Sequence, residues 1–150
     1  MARNKIRRSL ASILDPHPSS IETRQLWEYF RSQCAYCGVA LQRSERTGHL
    51  DHVLASSVGG TNSIHNHVLA CARCNGDEKR EEDWASFLAK KAESPKIAAA
   101  RRHRIDAWLS SAPEAVVDPS RAAEATAIIN QAVASFDIAV AKLRALRGGI

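Results

Sequence analysis

Apolar positions in this chain change period three times. From Ser19 the pattern is helical: Ser19 and Glu22 have capping-box spacing, and Leu26, Trp27 and Phe30 form one apolar face, which predicts a helix to about Gln33. The runs then shorten. GVALQ (38–42), GHLDHV (48–53) and HVLAC (67–71) read as three short strands, with the turn RSERTG between the first two. The segment LASSVGGTNSIHN contains Gly59-Gly60 and fits neither helix nor regular strand. A helical pattern returns at Asn75 and is expected to run to about Ser94, with Asp77 to Asp83 suiting a helix N-terminus. Ser94-Pro95 and Asp118-Pro119 each supply an N-cap and a first-turn proline. They predict helices to about Ser110 and to about Arg147, joined by the linker SAPEAVVDP and stopped by Gly148-Gly149. The last helix would be roughly 43 Å long at 1.5 Å per residue, with a stripe of Ile129, Val133, Phe136, Val140 and Leu143. The fold class is α+β and mostly helical.

Composition sharpens this. Of 150 residues 45% are hydrophobic and 5% aromatic, so an Ala/Leu/Ile-rich helical core is expected, with Trp27, Tyr29 and Phe30 in the core rather than stacking on bases. No stretch approaches 18 uninterrupted apolar residues and the N-terminus lacks a signal-peptide apolar region, so no membrane partner and an intracellular, cytoplasmic location are expected. The formal charge of +5 is concentrated. Arg3, Lys5, Arg7 and Arg8 form a basic arm, either a frayed helix or a segment ordered on nucleic acid; Arg101, Arg102 and Arg104, and Lys142, Arg144 and Arg147, form two more clusters. Such clusters suit a polyanion, and equally a solvated surface.

Four cysteines in two C-x-x-C pairs, Cys34/Cys37 and Cys71/Cys74, change the picture again. Two such turns supply a tetrahedral thiolate set for a structural zinc. The gap between the pairs is longer than in common zinc fingers and carries Asp51-His52 and Asn66; Asn75 follows directly on Cys74. His17, His65 and His67 read as loop or surface histidines, while His49, two residues before Asp51 on a strand, shares its face and has at most a minor role in the site.

This residue set suits phosphodiester hydrolysis. A neutral imidazole can take a proton from water, because histidine side chains as a class titrate near working pH, and His52 offers one. A hard divalent cation can stabilise charge on the phosphate and on the leaving oxygen. Asp51 offers such a cation a carboxylate and Asn75 a carbonyl oxygen. Adjacent strand residues point to opposite sides, so Asp51 and His52 can flank a scissile group.

The pattern DH-x13-N-x8-N between paired C-x-x-C turns, with the Gly-Gly loop and the ending CARCN, resembles the HNH endonuclease family over Cys34 to about Arg80. The resemblance implies a small ββα-metal core with zinc knuckles, flanked by an N-terminal helix and C-terminal helices. It implies His52 as general base, Asn66 bracing the loop that orients it, and Asp51 and Asn75 holding Mg²⁺ or Mn²⁺. Cys34, Cys37, Cys71 and Cys74 would hold structural zinc. The chain departs from the family in having Val53-Leu54-Ala55 where many members carry Pro after the base, and Asn75 where His is frequent. The Asn favours Mg²⁺ or Mn²⁺ over softer ions.

The expected organisation is a basic arm (1–18), an HNH nuclease core (19–94) and a C-terminal helical extension (95–150) packed on the same domain. The expected function is a metal-dependent endonuclease acting on DNA, with RNA also open as substrate, in a restriction or phage-related setting. Arg73, Lys79 and Arg80 join Arg3, Lys5, Arg7 and Arg8 as candidate phosphate contacts. Two other readings stand beside it: a non-catalytic zinc-stabilised DNA-binding module, and a nuclease subunit that forms a homodimer or docks a partner through its C-terminal helices.

Overall fold

The computed structural model describes residues 2–80, 82–113 and 119–148. The elements are α1 (Ala2–Leu14), α2 (Ser20–Tyr29), β1 (Gly48–His52), β2 (His67–Cys71), a π-helical turn (Arg73–Lys79), α3 (Trp84–Lys91), α4 (Pro95–Ser110) and α5 (Pro119–Arg147), with 3₁₀ turns at Ser56–Val58 and Ile64–Asn66. They form two compact units: His17–Pro113, and the terminal segments that contain α1 and α5. This grouping places α4 with the central unit and α1 with α5.

In the central unit, α2 starts as its sequence dictates. Ser19 Oγ accepts from the Glu22 N–H and the Glu22 carboxylate accepts from the Ser19 N–H, a complete capping box. The helix stops earlier than expected, because Arg31 and Ser32 adopt positive φ and turn the chain toward Cys34. Leu26, Trp27 and Phe30 are buried, as their spacing predicts.

β1 and β2 form a two-stranded antiparallel sheet with Gly48 opposite Cys71 and His52 opposite His67. Gly48 is required by packing: a Cβ there would lie 2.5 Å from the Trp27 ring. The expected third strand, GVALQ, is absent. That segment is spent on the first knuckle turn, where Gly38 N–H donates to Cys34 O and Cys34 N–H to Val39 O, leaving only an isolated bridge between Gln33 and Ala40. β2 is the centre of the core: His67, Val68, Leu69 and Ala70 are all buried.

The helix expected from Asn75 to Ser94 is broken in two. The π-helical turn ends at Lys79, Arg80 takes φ 49°, and α3 starts afresh with Asp83 accepting from Ser86 N–H. α4 runs Pro95–Ser110 with Ser94 as N-cap, as predicted. Trp108 on α4 packs on Tyr29 and donates from its indole N–H to His67 O at 3.0 Å.

The second unit is an antiparallel helix pair. Arg3 meets Asp137 at 2.6 Å and Arg7 meets Asn130 at 2.9 Å, so α1 is a formed helix on α5 rather than a loose arm. Of the α5 stripe, Val133 is buried and Leu143 is exposed. Contrary to the expectation from uninterrupted runs, Ser120–Arg147 is long and apolar enough, by length and composition alone, to cross a membrane. The N-cap Asp118 and the stop residue Gly149 lie outside the described residues.

Candidate active site and metal centre

The two C-x-x-C turns meet. The four thiol sulfurs lie within 4.8 Å of one another, with Cys34 and Cys74 buried and Cys37 and Cys71 half-buried. Cys37 Sγ and Cys71 Sγ are 3.9 Å apart. A tetrahedral Zn–S distance of about 2.3 Å gives sulfur–sulfur edges of about 3.8 Å, so the donor set fits zinc. Gly38 at φ 74° closes the first turn, and Ala35 N–H donates to Leu69 O to fasten it to β2. Burial pushes the Cys34 thiol up to about 11 and raises Cys74 as well; a bound cation would displace these protons.

β1 delivers Asp51 and His52 to opposite environments. His52 is half-buried, and its Nε2 lies 3.3 Å from Asn62 Oδ1. The imidazole of His67 packs against it, ring centroids 4.0 Å apart. Asn66 braces the following loop: its Nδ2 donates to Leu54 O at 3.0 Å and Thr61 O at 2.8 Å, and its Oδ1 accepts from Leu54 N–H. Its carbonyl accepts from Val53 N–H at 2.8 Å. The Asn66 amide is therefore spent on backbone groups and acts on the loop, not on a reacting atom.

Asp51 is turned inward, 5% exposed. Its Oδ2 accepts from the Tyr36 hydroxyl at 2.6 Å and lies 3.1 Å from Lys79 Nζ. Burial raises the Asp51 pKa, opposed by the Tyr36 hydroxyl and the Lys79 ammonium, which favour the carboxylate. Asn75 is half-buried on the π-helical turn, and its side chain makes no hydrogen bond among the described residues.

Residues 34–86 match the family model described as HNH endonuclease. This segment is an HNH endonuclease domain. No curated protein matches the chain. The HNH domain accounts for the two-stranded sheet, the following helical turn and the four-cysteine site together, and its family identity implies nuclease activity.

Within the HNH domain the four cysteines come together as their spacing predicts, while His52 ends β1 and Asn66 ends the 3₁₀ turn before β2. Lys79 is corrected: it is 3% exposed and bound to Asp51, so it is not a surface phosphate contact. Arg73 is exposed but pairs with Glu78, and Arg80 is exposed with its Nε on Asp77 O. His67 is also corrected: it is a buried neighbour of His52, not a surface histidine. The signal was available, since His67 shares its strand face with Leu69 and Cys71. Tyr36 and Asn62 gave no comparable signal, because neither lies next to its partner in the sequence.

A divalent cation needs open oxygen ligands. As placed here, Asp51 does not fit that requirement, because both of its oxygens face the Lys79 ammonium. Asn75 keeps its carbonyl oxygen available.

Proposed function

We propose that the HNH domain hydrolyses phosphodiester bonds in DNA, with His52 as the general base that activates water. The observation that carries this reading is the held imidazole of His52. Asn62 Oδ1 accepts from Nε2–H, which leaves the lone pair on Nδ1, and His67 limits rotation of the ring. A general base needs this combination of fixed tautomer and fixed orientation. A set of four unpaired cysteines suits a reducing compartment.

Mg²⁺ or Mn²⁺, when bound, would neutralise charge developing on the phosphate. Asn75 would be an oxygen donor to it, and Asp51 would join only on parting from Lys79. The chain's own contribution is the base, its orientation, and positive charge for the substrate. Lys5 and Arg8 on α1, and Arg73 and Arg80 beside the π-helical turn, are exposed and supply that charge.

The test is conversion of supercoiled plasmid by wild type and His52→Ala, with Mg²⁺, with Mn²⁺ and with chelator. Nicking by His52→Ala should fall by roughly 10² to 10⁴, the usual contribution of a positioned base. Equal cleavage by both proteins would refute the assignment, and no cleavage by wild type with any ion would favour a non-catalytic DNA-binding module.

A second reading concerns assembly. Ile13 and Leu14 on α1, and Ile128, Leu143 and Leu146 on α5, are exposed. This apolar surface favours a homodimer through the helix pair. Molar mass by light scattering decides between one copy and two.

A further inference from the structure

Lys79 is a buried charge with no part in the hydrolysis as described. It is 3% exposed, and an ammonium so placed requires oxygens around it. Three are present: Asp51 Oδ2 at 3.1 Å, Asp51 Oδ1 at 3.4 Å, and the carbonyl oxygen of His52 at 3.0 Å. An ammonium has three donors on a compact head, so it satisfies this arrangement where a planar guanidinium would not.

The local helix geometry explains how Lys79 arrives there. In an α-helix, a step of five residues turns about 140° past the starting direction. In a π-helix, i→i+5 bonding brings residues five apart back to the same side. Cys74 and Lys79 are five apart within the turn Arg73–Lys79, and both are buried. The π geometry thus sends the zinc-site cysteine and the lysine into the same interior.

The peptide unit after His52 is gripped from both ends. Lys79 donates to its carbonyl, and its N–H, on Val53, donates to Asn66 O at 2.8 Å. A planar peptide held at both polar groups has little freedom, and that freedom would otherwise swing the His52 side chain. Asp51 extends the grip, because its second partner, Tyr36, lies inside the knuckle Cys34-Ala35-Tyr36-Cys37.

We propose that Lys79 is a positioning residue for His52. Its ammonium fixes the backbone of the base and ties it, through Asp51 and Tyr36, to the first zinc knuckle and, through its own π-helical turn, to Cys74 of the second. This rests on the reading of His52 as the base, but the restraint itself is visible without turnover.

The experiment uses the full zinc-loaded chain and compares wild type with Lys79→Met. Because Lys79→Met leaves Asp51 buried without its counter-charge, Asp51→Asn/Lys79→Met serves where the single variant does not fold. The first readout is the imidazole ¹H–¹⁵N spectrum of His52 without divalent cation, assigned by its loss in His52→Ala. The second is single-turnover nicking across a range of protein concentrations. The His52 signals should shift, broaden or split, and the maximal rate should fall tenfold or more, with the half-saturating concentration unchanged. A folded variant with the wild-type His52 spectrum overturns the proposal and leaves Lys79 as a mere counter-charge. Should wild type fail to nick, the base reading fails, and the spectrum alone decides the role of Lys79.

Discussion

The imidazoles of His52 and His67 lie directly across the β1–β2 ladder, with ring centroids 4.0 Å apart and planes tilted by 54°. His67 is itself fixed, its Nδ1 donating to Ser63 O at 2.8 Å. The ring that walls the candidate base is thus anchored to the loop before it. His67→Ala removes the wall and this anchor together. Equilibrium denaturation should show a loss of about 2–4 kcal/mol, the range for deleting a buried ring and one hydrogen bond. Nicking per folded molecule should fall as well. His67→Phe should recover part of the stability, because it restores bulk but not the bond to Ser63.

Zinc should be present at one ion per chain and should be linked to folding. Cys37→Ser or Cys74→Ser is expected to yield partly unfolded or insoluble protein, and metal analysis of folded wild type should find zinc. A folded sample without zinc contradicts this. The pH dependence has a definite sign. Burial holds the metal-free Cys34 thiol up at about 11, so zinc must displace its proton, and apparent zinc affinity should fall as pH falls. A competition titration with a chromophoric chelator at several pH values measures it.

Gly59 and Gly60 are expected to differ although adjacent. Gly59 sits at φ 93° with nothing within 4 Å of where a Cβ would stand, so Gly59→Ala should cost about 1–2 kcal/mol through backbone strain alone. At Gly60 a Cβ would lie 1.7 Å from Leu54 O and 2.9 Å from Asn66 Nδ2, so the loop must move and the Asn66 bonds must open. Gly60→Ala should therefore reduce nicking more than Gly59→Ala does, at a stability loss of about 1–3 kcal/mol. Parallel thermal melts and plasmid assays check the order.

The basic face of α1 should contribute affinity rather than chemistry. Arg3 and Arg7 are engaged with Asp137 and Asn130, so Lys5 and Arg8 are the better phosphate contacts. Lys5→Ala/Arg8→Ala should flatten the log–log salt dependence of duplex binding by up to about 0.9 per lost contact. An unchanged slope would leave them as solvated surface charges.

Local chemistry in the sequence determined a good deal. Ser19 and Glu22 announce the start of α2, and Ser94-Pro95 the start of α4, because caps act within one helical turn. The C-x-x-C turns announce the zinc set and the DH…N…N spacing announces the HNH domain, because metal ligation and loop bracing impose fixed intervals. Other features are decided by partners far along the chain. Cross-strand register buries His67 against His52. The π-helical turn carries Lys79 inward to Asp51, where sequence spacing had suggested a surface position beside Arg80. Tyr36, fifteen residues away, completes the enclosure of Asp51. Burial and charge pairing depend on which surfaces meet, and only the folded chain brings Tyr36, Asp51 and Lys79 into one interior, where an unpaired carboxylate or ammonium would be strongly unfavourable.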